Sequence, residues 1–425
     1  MRTASSRKEY EEEDEYEYER EPERWPSDIM RILYLTHNVT WKGGGAFFRA
    51  YHQGRFLARR GHDVTMVCIS PDEKSSFRTS ESEGVTIIEA PDLLPGQART
   101  GWDLWDAARR IGYLDGRDYD IVHGLESRPV VALPALWMKR RTGVPVILDW
   151  ADWYGRGGTA TERSRKIRTF MHPVETFCEE FFHPFADGVV AMGEPLMERA
   201  LALGVPADRM INLLHGCDPE GLAAHDMAEA RAQLGEDRVP ANAYVLGYVG
   251  VMRPTTAALL FQSLRQLKRL VDRPVKVVCA GNHKLPDIRS FVPDDCKDDL
   301  IETGWISYEE LNLFLSSSDV MVLPFQRMTA TNNIWPSKLN DYLAVGRPTV
   351  ATDMRILRPI YDQYDIGLLT DDTPQAFAAG CAQLLEDTAG RQRMSIAARA
   401  LAEGDLSWDS LVDRLEAFYV RLIER

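Results

Sequence analysis

Short apolar runs alternate with amphipathic stretches from Met30 almost to the end of the chain, and this alternation limits the fold more than any other feature. Strand, helix, strand in repetition gives a parallel sheet covered on both faces, because each crossover helix returns the chain to the same edge. Residues 31–36, 63–69, 85–89, 120–123, 144–149 and 188–192 read as strands, with helices over 46–60, 130–141 and 194–203 between them. Gly61 closes the first of those helices. The pattern restarts near residue 240, with strands expected at 244–249, 275–280, 320–324, 349–352 and 366–370. The expected architecture is therefore α/β, with two Rossmann-like domains over residues 29–218 and 219–405 and a final helix over 406–425. A cleft between two such sheets, at the carboxyl ends of their strands, is where open α/β folds bind ligands.

Composition narrows the function classes. The 425 residues carry 64 acidic and 50 basic side chains, a formal net charge of -14, which argues against an unselective grip on nucleic acid or anionic membrane. The six cysteines include no CxxC pair and lie mostly in apolar runs, so reduced, buried thiols are expected and neither a disulfide framework nor a zinc site. Glu9 to Glu23 is nearly all Glu, Tyr, Asp and Arg, so residues 1–28 read as a disordered acidic tail. The chain shows no signal-peptide stretch and no apolar run of membrane-spanning length, so a cytoplasmic location is expected. The locally basic stretch 161–171 leaves room for a peripheral contact at the inner membrane face, although a solvated helix face reads equally well.

The densest functional signal lies at residues 332–353. Pro336 suits a first helical turn, since its φ fits and its missing N–H would have no partner there. Ser337 and Lys338 then occupy the positive end of the helix, where a phosphate can dock on N–H groups and an ammonium. Asp341 falls one turn later on nearly the same face, placed to accept hydrogen bonds from two ribose hydroxyls. Gly346 ends the helix and 348–352 reads as a buried strand.

Other loops follow strand ends. Gly43, Gly44 and Gly45 come after the first strand and let backbone N–H groups approach an anion, without the spacing of a P-loop or a dinucleotide fingerprint. His123 and Glu126 stand at the end of the 120–123 strand, where a structural and a functional role weigh about equally. The run from Asp149 through Asp152 to Gly158 mixes acids, aromatics and glycines, a combination suited to sugar rings and hydroxyls, or simply to a packed loop around a buried acid. In the second half, Gly250 and Arg253 follow one strand and Asn282 follows another, so both loops point toward the same cleft as Lys338.

Taken in order, these pieces resemble the retaining glycosyltransferases of family 4, from about Met30 to the C-terminus. Supporting segments include Gly43 to Gly45, Asp120 to His123, His215 to Asp218, Gly304 to Ile306, Ser318 to Pro324, Pro336 to Thr352 and Leu406 to Trp408. The resemblance implies the GT-B fold, two facing Rossmann-like domains whose last helix crosses back to the first. It implies sugar transfer from a nucleotide diphosphate sugar to a glycan, lipid-linked or small-molecule acceptor, with retention and with neither metal nor other cofactor. By position, Ser337, Lys338 and Leu339 would meet the diphosphate together with Gly250, Arg253 and Asn282. Asp341 would take the ribose, and Gly44 and Gly45 the phosphate and reacting sugar from the opposite domain. Asp152, His123, Glu126 and Asn333 would flank the reaction centre.

The departures are specific. Asn333 stands where many members carry the first of two glutamates eight positions apart, and Asp341 where they carry the second. Val251 and Thr256 replace a frequent Arg and Lys, and Leu125 and Ala151 replace frequent histidines. These losses motivate an alternative: a catalytically silent GT-B module that binds a glycan or a partner glycosyltransferase.

Overall fold

The computed structural model describes residues 29–41, 44–159, 165–281 and 288–425. The expected acidic tail, Gly43, the first part of the basic stretch and Asn282 lie outside the described residues. Strands β1 (Arg31–Val39), β2 (Asp63–Ile69), β3 (Arg78–Ser82), β4 (Val85–Ala90), β5 (Ile121–Leu125), β6 (Val146–Trp150), β7 (Gly188–Ala191) and β8 (Met210–Asn212) form the first sheet. Its order is β3-β4-β2-β1-β5-β6-β7-β8. Strands β9 (Tyr244–Val249), β10 (Val275–Ala280), β11 (Leu300–Gly304), β12 (Val320–Leu323), β13 (Thr349–Thr352) and β14 (Gly367–Thr370) form the second, ordered β11-β10-β9-β12-β13-β14. Every pairing is parallel except β3 with β4.

The crossovers carry α1 (Gly45–Arg59), α2 (Leu104–Leu114), α3 (Pro129–Thr142), α4 (Arg165–Phe182) and α5 (Glu194–Ala202) in the first half. The second half holds α6 (Met227–Leu234), α7 (Pro254–Leu267), α8 (Tyr308–Ser317), α9 (Thr329–Asn333), α10 (Lys338–Ala344), α11 (Arg358–Gln363), α12 (Pro374–Glu386) and α13 (Thr388–Glu403). Helix α6 already belongs to this half, because Arg231 bonds the Ser317 carbonyl at 2.9 Å and pairs with Asp319 at 2.7 Å.

The last helix, α14 (Trp408–Ile423), crosses back to the first sheet. Leu411, Leu415, Phe418 and Leu422 repeat at helical spacing and are buried there, each contributing about 1.5–3 kcal/mol of apolar transfer. Gly188 permits this approach, since a Cβ at that position would lie 2.6–2.9 Å from Leu422 and Phe418. The Tyr419 hydroxyl meets the Tyr34 hydroxyl at 2.8 Å and His123 Nδ1 at 2.6 Å. The helix is thus locked into the core of the domain opposite the one it follows.

In each sheet the chain reverses its direction of winding at one point. In the first, β1 lies between β2 and β5, and in the second β9 lies between β10 and β12. The loops after β1 and β5, and after β9 and β12, therefore splay apart and leave a crevice at each switch point.

Candidate active site

The second-domain wall begins where β9 ends. Gly250 has φ +88, a left-handed conformation that favours glycine. A Cβ there would sit 3.9 Å from Lys338 Nζ. The Lys338 ammonium lies 4.6 Å above the centre of the Tyr248 ring and 5.4 Å from that of Phe325, and it donates to the Tyr248 hydroxyl at 3.0 Å. Tyr248 in turn donates to the Val251 carbonyl at 2.9 Å, so the cation and the β9 loop hold one another. Burial, with Arg253 adding repulsion, pushes the Lys338 ammonium down to about 8.

Helix α10 supplies Lys338 and, one turn on, Asp341. Burial and the like charge of Asp218 push Asp341 up to about 7, against the pull of Lys338. Among the described residues no ion pair joins Lys338 to Asp341; Lys338 lines the cavity and spends one N–H on Tyr248. The helix is anchored behind the cleft: Trp335 Nε1 donates to Asn340 Oδ1 at 2.7 Å, and Asn340 Nδ2 donates to the His215 carbonyl at 2.6 Å. Tyr342 accepts from the Val249 N–H at 3.2 Å, which ties α10 to β9.

The first-domain wall is the loop after β6. Asp152 accepts from the Tyr154 hydroxyl at 2.9 Å, and its carboxyl is raised by burial. Two buried carboxylates fix the loop from behind. Glu126 Oε1 accepts from the N–H groups of Ala151 at 3.0 Å and Asp152 at 2.9 Å. Glu179 of α4 accepts from the N–H groups of Tyr154 at 2.7 Å and Gly155 at 2.8 Å. Burial pushes Glu179 up to about 7 and Glu126 well above the carboxylate range, with Asp152 adding repulsion to Glu126. Glu126 also has φ +67, a strain of about 1–3 kcal/mol that its two backbone bonds offset.

The two walls meet around a cavity of about 330 Å³. Asp152 and Thr159 line it from the first domain, and Arg253, Phe325, Trp335 and Lys338 are among those lining it from the second. It therefore combines two cations, aromatic faces and a carboxylate across one gap.

Several expectations are corrected. His123 is fully buried in β5, stacked on Tyr34 and bonded to Tyr419, and burial lowers its pKa; it is a neutral core residue. Its neighbour Asp149 pairs with Arg49 at 2.7 Å inside the first domain. Glu126 is spent on backbone N–H groups and positions Asp152 without lining the cavity. Asn333 turns inward, donating to the Thr329 carbonyl at 2.7 Å within α9. The Leu339 side chain is in the core and its N–H is bonded to the Pro336 carbonyl at 2.9 Å. Gly44 lines a second cavity inside the first domain, and Gly45 opens α1 beside it. Ser337 does stand at the start of α10, as its exposed N-cap, but it is not among the residues lining the cavity. Tyr154 lies in the acid- and aromatic-rich run singled out from the sequence, whereas Tyr248 and Glu179 were missed: an aromatic in a strand and an acid in a helix carry no spacing signal of their own.

Comparison with known proteins gives the same two-domain fold. Residues 44–213 match the model of the glycosyl transferase 4-like domain and residues 243–387 that of the glycosyl transferases group 1. A GDP-mannose-dependent alpha-mannosyltransferase of Mycobacterium tuberculosis (strain CDC 1551 / Oshkosh) is 24% identical over 379 residues, covering 85% of this chain and 89% of the relative. Sucrose-phosphate synthase from Thermosynechococcus elongatus shares the fold with a TM-score of 0.72 at 16% identity, over 93% of this chain and 100% of that one. Anabaena HepE, solved with UDP and glucose, gives 0.67 at 14% identity, over 92% and 100%. The two domain matches fall one on each sheet of a two-domain α/β fold with a shared cleft, and the chain belongs to the nucleotide-sugar-dependent glycosyltransferases of the family 4 type, with the GT-B fold.

Proposed function

We propose that this glycosyltransferase binds the nucleotide diphosphate of its donor on the second domain and transfers the sugar with retention, without a metal. The observation that carries the reading is Lys338, held over Tyr248 beside Gly250 and facing Asp152 across the cavity. Lys338 and Arg253 take the diphosphate, and Asp341 takes the ribose hydroxyls. The bond from the anomeric carbon to the β-phosphate oxygen breaks while the acceptor oxygen bonds on the same face. The acceptor proton passes to a phosphate oxygen of the departing nucleotide. Negative charge grows on that leaving group, and preorganised cations in a partly dry cleft stabilise it, the task a divalent metal performs elsewhere. Asp152 and Tyr154 hold hydroxyls from the first-domain side.

The Mycobacterium tuberculosis relative makes GDP-mannose the first donor to test. Release of nucleotide diphosphate is followed across GDP-, UDP-, ADP- and TDP-sugars, with the anomeric configuration of product read by NMR. Turnover lost in Lys338→Ala and kept in Arg393→Ala, a surface residue paired with Asp365, supports the reading. An inverted product removes the retention claim, and absence of turnover and of nucleotide binding with every donor favours the silent module.

The acceptor side includes a peripheral lipid contact in this proposal. No helix among the described residues is long and apolar enough to cross a membrane. Helix α4 nevertheless presents Phe170, Val174, Phe177 and Phe181 along one exposed face, continued by Phe185, with Phe170 77% and Phe177 55% exposed. Arg165 and Arg168 are exposed at its start. Arg140 and Arg141 are exposed near its far end, where the neighbouring Lys139 bonds the Phe185 carbonyl at 2.8 Å. Apolar side chains bracketed by basic ones suit an anionic lipid surface. Flotation with vesicles containing anionic lipid recovers the wild type and loses Phe177→Ser/Phe181→Ser; equal recovery of both removes the contact.

A further inference from the structure

A second cavity, of about 410 Å³, opens entirely within the first domain at the carboxyl ends of β1 and β5. Its lining contains Arg99 and Arg128 and, among the described residues, no carboxylate. Both residues are at least nine-tenths buried. Arg99 is fixed by three carbonyls, those of Leu94, Ser70 and Asp72. Arg128 donates to the Thr100 carbonyl through Nη1 and stacks between Trp102 and Tyr154, at 5.4 and 4.8 Å from the ring centres. Neither makes an ion pair among the described residues. Asp92 and Asp152 feel Arg99 and Arg128 only at longer range.

Two buried cations without paired counter-ions are costly in a folded chain, and the cost is relieved when a ligand brings the missing negative charge. The N-terminus of α1, fifteen residues long, adds to the same field. Its N-cap, Gly44, lines the cavity, offers no capping side chain, and has open space around its Cα. Asn38 Oδ1, in the same lining residue set, is buried without a hydrogen-bond donor. His37 adds no positive charge, because burial lowers its pKa well below the usual value. Tyr154 is the shared wall: its ring lies under Arg128 in this cavity while its hydroxyl bonds Asp152, which lines the donor cavity.

We infer that this cavity is the acceptor subsite and that it takes an acceptor carrying a phosphate group. The phosphate binds between Arg99, Arg128 and the α1 N-terminus, Asn38 accepts from an adjacent hydroxyl, and the nucleophilic hydroxyl reaches past Tyr154 toward the donor cavity. This rests on reading the cleft as the transfer site. The phosphate comes either from a soluble sugar phosphate or from a phospholipid headgroup.

The test uses the full chain with its donor site filled by whichever nucleoside diphosphate raises its melting temperature most. Soluble sugar phosphates are titrated against the matched neutral sugars, and phosphatidylinositol vesicles against phosphatidylcholine vesicles. At least one phosphate-bearing probe binds about tenfold or more tightly than its neutral match, as expected for charge-assisted pairing. Preference confined to the sugar phosphates identifies a soluble acceptor, and preference confined to the vesicles a lipid headgroup. Arg128→Gln removes the preference and Arg128→Lys restores part of it, with nucleotide affinity within about twofold of wild type. Equal binding of every matched pair overturns the inference, as does a preference that survives Arg128→Gln. If Arg128→Gln instead weakens the nucleotide, the cavity serves the donor and the inference is also lost. Should no nucleoside diphosphate bind the wild type, the donor reading fails separately, and the phosphate preference is still read on the enzyme alone.

Discussion

The two walls of the cleft solve the same problem with opposite chemistry. On the second domain, Lys338 lines the gap with Asp341 one helical turn behind it, and burial shifts the two toward each other, to about 8 and about 7. On the first, Glu126 and Glu179 are buried behind the loop and spend their oxygens on backbone N–H groups, leaving Asp152 to face the gap. One wall is built to meet charge and the other to hold shape. A substitution on the first should therefore appear in stability, and one on the second in ligand affinity.

The largest expected departure is Glu126→Ala, which strands the N–H groups of Ala151 and Asp152 and lowers stability by about 2–4 kcal/mol in urea unfolding. Glu126→Gln keeps an acceptor oxygen and is tolerated, because burial already favours the neutral carboxyl over the charged one. The folded state retains that proton where the unfolded chain has released it. Wild-type stability therefore declines as pH rises above the ordinary value of 4.5, and Glu126→Gln removes that part of the slope. Equal damage from Ala and Gln would break the division between the walls.

Next comes Lys338→Ala, expected to weaken nucleotide diphosphate binding about 10- to 100-fold by calorimetry while leaving the urea midpoint nearly unchanged. The same wall sets the pH dependence. Lys338 carries its charge below about 8 and Asp341 above about 7, so nucleotide affinity peaks between these values and falls on either side. Lys338→Arg keeps its charge and removes the alkaline limb; a limb that persists would assign it to another group. The smallest effect is His123→Phe, which loses the bond to Tyr419 and the 3.5 Å contact to the Asp149 carboxylate, costs about 1–2 kcal/mol and leaves kcat unchanged in the folded enzyme.

Regular elements were legible because their cause is local. The bounds of β2, β9, β10 and β13 follow directly from the apolar runs. Strand β3, of sequence RTSES, was invisible because it is an exposed antiparallel edge with no apolar pattern, and β8 because it has three residues. At the site, Lys338 was legible from Pro336 and helix spacing. His123 was misread because a strand-end position does not say which way a side chain points, and all five residues of β5 are buried. Leu339 failed for the same reason on a helix: it is adjacent in sequence to Lys338 but turned to the core. The buttresses Glu126 and Glu179 depend on contacts between distant segments, which no local pattern encodes.

The central claim is that nucleotide binding belongs to the Lys338 wall of a transfer cleft. Calorimetric titration of GDP, UDP, ADP and TDP into wild type, Lys338→Ala and Asp152→Asn tests it most directly. The account predicts that at least one nucleotide binds the wild type, loses about 10- to 100-fold in Lys338→Ala, and is held within about threefold by Asp152→Asn. No binding by any nucleotide, or an affinity indifferent to Lys338→Ala, would contradict it.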